Sequence, residues 1–325
     1  ATADETIRAG TTVEKLAGLK AVFESEELSA RFPQIQWATT AGNASQITDG
    51  ASAMLIMSEQ RAQQLGLRPG SVVGSVAWNN HRHLGAYYAV SGSGMVMHTC
   101  NPRLHPEQLA YIINHADDEV VLFDTTFAPL VQAIAPSCPQ VKHWVALCAA
   151  DALPVIEGVP HVHAFETLIA DQSSSFDWPE CDEKTGAALC YTSGTTGNPK
   201  GVLYSHRALT LSAIGACMPG VLSIWSQETV LPVVPMFHIN AWCLPYAALI
   251  GGAKLVLPGP RLDPASLYEL METEQVTVSA GVPTIWMGLI QHVEQHKLRF
   301  TTMRRTGVMQ IRDRTKDVIK SGGEW

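Results

Sequence analysis

The sequence predicts an α/β fold of mostly parallel sheets flanked by helices, with a separate N-terminal piece ahead of it. Three observations carry that expectation. Strand-like runs alternate with helix-like stretches from Val72 to about Glu294, the order that builds parallel sheets. The strand-like runs are continuously apolar, as strands covered on both faces are. Residues 1–70 do not join the alternation.

A chain of 325 residues is long enough for about two domains and a sizeable core. Its 22 Lys and Arg against 30 Asp and Glu leave a formal charge of −8, the wrong sign for a nucleic-acid binder that neutralises phosphate. The 7 cysteines are scattered, odd in number and without a CxxC pair, which argues against a disulfide framework or a structural zinc site and for a reducing compartment. ATADETIRAG at the N-terminus has acids where an export signal has bases and lacks an apolar core, so a cytoplasmic location is expected.

In order along the chain, Val13–Val22 has a helix-like pattern, TTAGNASQITDGASA is loop chemistry rich in turn formers, and Ser58–Leu65 is a second helix candidate. Strands are expected at Val72–Trp78, Met95–Thr99 and Glu119–Phe123, with helices at His81–Ser91 and Pro106–Asn114 between them. Cys148–Lys184, rich in Pro, Asp and Ser, reads as a surface excursion, and the alternation resumes at Ala187. From Ala208 to Ala253 the only formally charged residue is Glu228, long enough for a membrane span by length alone. Pro219-Gly220, Pro232, Pro235, His238, Asn240 and Pro245 interrupt that run, so buried strands and helices are expected and no transmembrane segment.

The most informative run is GAALCYTSGTTGNPKGVLYSHRAL. An apolar strand, Ala187–Tyr191, leads into Thr192-Ser193-Gly194-Thr195-Thr196-Gly197-Asn198-Pro199-Lys200-Gly201, followed by a second strand and a helix. The glycines let backbone N–H groups converge on an anion, the hydroxyls add donors, and Lys200 supplies the cation a polyphosphate needs. It is not a Walker A loop, because Pro199 stands where that motif has glycine. Elsewhere, Pro235-Met236-Phe237-His238 puts one titratable ring in an apolar run, where burial would lower its pKa and keep it neutral, while Trp242 taken alone is core packing. His161-Val162-His163 could face one side of a strand as a metal pair, but no third ligand is near in sequence, so no protein-held metal is expected.

The loop string closely resembles the signature of the AMP-forming acyl-CoA synthetases, members of the adenylate-forming superfamily. VGSVAWNNHRHLGAYYAVSGSGMVMHTCNPRL, LPVVPMFHINAWCLPYAALIGGAKLVLPGPRLDPASL and VSAGVPTIWMGLI look like the medium- and long-chain fatty-acyl-CoA ligase branch. Such enzymes join a fatty acid to the ATP α-phosphate, release diphosphate, and pass the acyl group to CoA. By position, the resemblance implies that Thr192, Ser193, Gly194, Thr195, Thr196, Gly197 and Lys200 hold ATP, with Lys200, Thr195 and His238 catalytic. It implies His238 beside the carboxylate, Trp242 gating the acyl tunnel, and Gly281, Val282, Pro283 and Thr284 lining the acyl and adenine region. ATP, Mg²⁺ and CoA are the implied ligands, and a homodimer is allowed.

QIRDRTKDVIKSGGEW resembles the ligases' interdomain linker, with Asp313 as hinge and Arg314 reaching the AMP ribose. It follows LRFTTMRRT by almost nothing, so the family's intervening glycine-rich adenine strand, its Tyr-Gly-x-Thr-Glu magnesium motif and its Thr-Gly-Asp ribose aspartate are absent from the sequence, as are the lid and its lysine. DETIRAGTTVEKLAGLKAVF and the Ala-Gly-Asn-Ala-Ser element around Ser45 resemble thiolases, without that family's catalytic elements. The expected organisation is a thiolase-like fragment at 1–70, an incomplete AMP-binding large domain at 71–306 and a linker motif at 307–325. Such a chain is expected to bind nucleotide weakly and form little thioester; the alternative is a non-catalytic acyl- or CoA-binding fusion remnant.

Overall fold

The structure is a computed structural model that describes residues 65–170, 172, 176–192 and 198–300 and, nearer the N-terminus, 12, 15, 18–20, 26–31 and 33. The chain divides into two compact units, Ala1–Ala53 and Met54–Trp325. In the first, the helix α1 spans Glu26–Arg31, and Lys15 N donates to Thr12 Oγ1 at 3.3 Å. Of the helix expected at Val13–Val22, Lys15 is helical while Leu19 and Lys20 are not. The expected helix at Ser58–Leu65 and the loop holding Ser45 lie outside the described residues, apart from Leu65 in a turn.

The second unit is built on a seven-stranded sheet ordered β5-β4-β3-β1-β2-β6-β7. Its strands are β1 Val72–Val76, β2 Val96–Thr99, β3 Asp118–Phe123, β4 His143–Ala146, β5 Val162–Ala164, β6 Gly186–Thr192 and β7 Lys200–Ser205. All pairings are parallel except the β6–β7 hairpin. Along β3, Val120 and Leu122 enter one core cluster while Val121 and Phe123 enter another, so both faces are buried and the run reads as continuously apolar. A smaller parallel sheet, β10-β8-β9, uses β8 Thr229–Pro232, β9 Lys254–Leu255 and β10 Val278–Ala280.

Helices α2 His81–Gly92, α6 His206–Cys217 and α7 Leu244–Gly251 share a core cluster with residues of both sheets. On the other face of the large sheet lie α3 Pro106–His115 and α4 Ala128–Ile134; on that of the small sheet lie α8 Pro264–Thr273 and α9 Pro283–Gln295. Starts follow local chemistry: Asn80 caps α2 by accepting from His83 N at 2.9 Å, Asp263 caps α8 by accepting from Ser266 N at 3.0 Å, and Pro283 opens α9. The stretch taken for a surface excursion is not wholly one, since β5 and α5, Phe165–Ile169, put Ala164, Phe165 and Leu168 in the core. The long uncharged run folds as α6, β8 and α7, and among the described residues no helix is long and apolar enough to cross a membrane.

Within the large sheet His98 on β2 reaches over β1 to Asp118 on β3, Nδ1 lying 2.8 and 2.9 Å from the two carboxylate oxygens. Both side chains are fully buried, and burial pushes the Asp118 carboxyl up despite the pull of His98. Gly74 on β1 makes this crossing feasible, because a Cβ there would lie 2.6 Å from Asp118 Oδ2. The carboxylate cannot retreat without breaking its pairing. Gly74→Ala is therefore expected to cost about 2 kcal/mol by overpacking and to lower Tm by roughly 6 °C. Calorimetric melting checks this, and an unchanged Tm would show that the carboxylate yields.

Candidate active site

Strand β6 carries GAALCYT between β2 and β7, and at its carboxyl end Thr192 pairs with Lys200, the first residue of β7. Thr192 Oγ1 donates to the Lys200 carbonyl at 3.4 Å, so both ends of the intervening loop are fixed on one rung. Thr192 and Lys200 are exposed and Pro199 is buried. Ser193, Gly194, Thr195, Thr196 and Gly197 lie outside the described residues, as do Asp313 and Arg314. Below the loop, Tyr191 OH lies 2.7 Å from His115 Nδ1, and burial lifts its phenol to about 12.

The second part of the site leaves the small sheet. After β8, Val233 and Val234 both donate from their backbone N–H to the Ala280 carbonyl at 2.8 Å. Asn79, buried beyond the end of β1, donates to the carbonyls of Pro232 and Val234 at 2.9 and 3.0 Å and accepts from Met236 N at 2.8 Å. Tyr87 of α2 donates to the Met236 carbonyl. These anchors bury Met236 but not the ring two residues on, for His238 is exposed. The expectation that His238 is buried is corrected: Met236 is buried, Phe237 only partly, and His238 and Ile239 are exposed.

A left-handed turn follows. Five residues in succession, Ile239 to Cys243, have φ between 47° and 59°. Each non-glycine residue there costs on the order of 1 kcal/mol, and such backbone is retained where surrounding structure holds it. The turn buries Asn240 and Ala241 and leaves Trp242 45% exposed, so Trp242 is no core side chain. Asn240 Oδ1 accepts from Cys190 Sγ of β6 at 3.7 Å, while its buried Nδ2 has no hydrogen-bond partner. Sequence reasoning gave Asn240 no role; the signal was a single amide in an apolar run.

Gly281, Val282, Pro283 and Thr284 follow β10, whose Ala280 pairs with Pro232 of β8, so they emerge at the same end as His238. Trp286 Nε1 donates to the Gly281 carbonyl at 3.0 Å, and its ring would collide with a Cβ at Gly281, 2.8 Å away. Gly281 and Pro283 are half-buried and Thr284 exposed. A shallow crevice is lined by Ala77, Trp78, Asn79, Arg103, Pro235 and Phe237 among others. The structure thus joins the base of the Thr192–Lys200 hairpin to the His238–Trp242 turn through Cys190 and Asn240, and that turn to Gly281–Thr284 through β8 and β10.

Two carboxylates at this end of the large sheet are occupied. Asp124 accepts from Trp78 N at 2.6 Å and from Asn80 Nδ2 at 2.9 and 3.0 Å, and Glu166 pairs with Arg82 at 2.7 Å. Asp124 and Glu166 therefore do not fit as the carboxylate seat of a magnesium ion.

A family model described as "AMP-binding enzyme" matches residues 61–324, and one described as "Thiolase, N-terminal domain" matches residues 1–60. The chain is 52% identical over 227 residues to a medium-chain-fatty-acid–CoA ligase of Ectopseudomonas oleovorans, covering 70% of this chain and 41% of that one. It is 48% identical over 242 residues to a long-chain-fatty-acid–CoA ligase of Thermus thermophilus, covering 74% and 43%. Two solved structures share the fold. A putative long-chain-fatty-acid CoA ligase from Rhodopseudomonas palustris has TM-score 0.62 at 21% identity, covering 74% of this chain and 57% of that one. A fatty acyl CoA synthetase from Mycobacterium tuberculosis has TM-score 0.60 at 23% identity, covering 78% and 47%. The chain spans less than half the length of the two curated relatives.

Proposed function

The chain belongs to the AMP-binding enzyme family, and from that premise we propose that it carries the ATP- and acyl-binding part of an AMP-forming fatty acid–CoA ligase. The observation that carries this reading is the hairpin base: Thr192 and Lys200, paired and exposed, hold a Ser-, Thr- and Gly-rich loop at the carboxyl end of β6, beside the turn that follows His238. Ligands of parallel sheets bind at that end.

In the reaction a carboxylate oxygen attacks the α-phosphorus of ATP and diphosphate leaves; the thiol of CoA then attacks the acyl carbon and AMP leaves. No protein nucleophile is needed, so the protein contributes positioning and charge. Lys200 balances the triphosphate, loop hydroxyls and N–H groups hold its oxygens, and Asn240, against Cys190 of β6, offers an unspent donor. His238 stands beside the acyl carboxylate, Trp242 gates the acyl tunnel, and Gly281–Thr284 line the acyl and adenine region. Magnesium accompanies the nucleotide in this reading, and no step is assigned to it. The reading includes a cytoplasmic location and a homodimer; exposed apolar side chains on α6 and α7, Leu211, Ile214, Leu249 and Ile250, suit the latter.

The magnesium and ribose motifs missing from the sequence around Thr301–Gln310 favour binding without efficient turnover, and the Thiolase match over 1–60 suits a fusion. Calorimetry of the whole chain is expected to give weak ATP binding, reduced between ten- and a hundredfold in Lys200→Ala, the scale of one charge-assisted contact of about 1.5–3 kcal/mol. Little acyl-CoA is expected from ATP, CoA and a medium-chain fatty acid. Absence of any nucleotide or acyl binding would sink the ligase reading, and robust thioester formation would sink the claim of impaired turnover.

A further inference from the structure

We propose that His143, His161 and His163 form a binding site for a divalent transition metal ion of the nitrogen-preferring class, for which zinc is the probe. In sequence His161 and His163 lack a third partner; the fold supplies it from the neighbouring strand. β4 and β5 run parallel with Val145 opposite His163 and Trp144 opposite Val162, which brings His143 onto the same face as the pair. His143 Nδ1 lies 3.1 Å from His163 Nε2. The contact is a hydrogen bond whose proton a metal ion would replace, and since two imidazole nitrogens bound tetrahedrally to zinc stand about 3.3 Å apart, the two rings are within a small movement of adjacent ligands.

His161 completes the set. Its ring centroid is 5.7 Å from that of His143. Its backbone is fixed by the hydrogen bond from Trp144 N to its carbonyl at 3.1 Å, and its φ of 54° departs from the strand just where the side chain must turn inward. His161 is exposed and the other two are half-buried, so the site requires that the His161 side chain rotate to bring a third nitrogen to the pair, and its exposure leaves it room to do so, with water in the remaining position. The neighbouring cation Lys142 is engaged by Glu119 at 2.6 Å. All three ligands thus stand on hydrogen-bonded backbone, the support a metal site needs.

The cluster lies at the amino ends of β4 and β5, while the Thr192–Lys200 hairpin lies at the carboxyl end of β6, four strands away or about 19 Å across the sheet. It is separate from the proposed nucleotide site and does not depend on it. Bound metal would tie the three-residue edge strand β5 to β4. Another grouping, His98, Cys100 and Asp118, has its ligand atoms within 4.8 Å of one another, but it is sealed and both Asp118 oxygens are spent on His98.

The test is zinc titration of the whole chelator-stripped chain against a chromophoric competitor, with thermal melting in parallel. One equivalent is expected to bind and to raise the melting temperature. His161→Ala and His163→Ala are each expected to weaken binding at least tenfold and abolish the thermal shift. His292→Ala/His296→Ala, which removes a helical pair with ring centroids 4.3 Å apart, is expected to leave both unchanged. His161 is exposed, so His161→Ala decides the matter if His163→Ala fails to fold. No bound zinc, equal binding by His161→Ala, or loss confined to the His292/His296 variant would each overturn the proposal.

Discussion

Replacing Asn79 with alanine is expected to cost about 4 kcal/mol and to lower Tm by roughly 10 °C. The size follows from what the side chain leaves behind. Its amide serves the Pro232 carbonyl, the Val234 carbonyl and Met236 N, three backbone groups of the segment that joins β8 to His238. An orphaned buried polar group costs about 1–3 kcal/mol, and Asn79 borders the crevice through which water can reach some of them, so the sum falls below three full penalties. Asn79→Asp is expected to be no better, because it keeps an acceptor for Met236 N and turns the other carboxylate oxygen on two carbonyls. Acyl affinity should fall more than ATP affinity in either variant, since Asn79 holds the His238 side and not the hairpin. Denaturant unfolding measures the first effect and calorimetry the second. A loss under 1 kcal/mol for Asn79→Ala would mean the segment is held by the Val233 and Val234 bonds to Ala280 without the amide.

Much of the large sheet was legible because each central strand is buried on both faces. β1, β2 and β3 announce themselves as apolar runs, and α2 and α3 begin at Asn80 and Pro106, which cap and open helices by local chemistry. β4 is not legible in the sequence, and β5 only as a strand on which His161 and His163 could share a side. β5 has three residues, two of its flanking or member positions are histidine, and its pairing with β4 is a long-range fact with no local pattern. The hairpin base could be read in part, since an apolar strand from Ala187, a Gly- and Ser/Thr-rich stretch and a second strand after Lys200 are legible in order along the chain. His238 could not. An apolar run predicts a buried ring, whereas burial lapses at His238 and Ile239 and returns only at Asn240 and Ala241, inside a left-handed turn that no local pattern announces. Asn79 was equally opaque, because Trp-Asn-Asn reads as a turn until the small sheet arrives to use the amide.

Acid is expected to destabilise the second unit through His83 by about 3 kcal/mol between pH 6.5 and 4. The ring is fully buried in the first turn of α2, where desolvation, helped by the positive helix end, disfavours the imidazolium; its pKa is lowered to about 4 from 6.5. The Trp78 carbonyl, 3.0 Å from Nδ1, can only accept, so Nδ1 carries the proton and Nε2 accepts from Ser75 Oγ at 2.9 Å. Protonating Nε2 would turn the Ser75 hydroxyl from donor to acceptor, which it can do by donating to the His98 carbonyl, so the cost is that of placing a charge in the core. Above pH 6.5 both folded and unfolded chains hold the ring neutral and His83 contributes no slope. As pH falls below 6.5 the unfolded chain takes up a proton that the folded chain refuses until about 4, so stability drops by about 1.4 kcal/mol per pH unit across that window. His83→Gln keeps a donor and an acceptor without the titration and is expected to flatten that part of the profile. Denaturant unfolding of both proteins at pH 7.5, 6.5, 5.5 and 4.5 measures the difference; parallel curves would mean that the folded chain accommodates an imidazolium at this position and that its acid lability arises elsewhere.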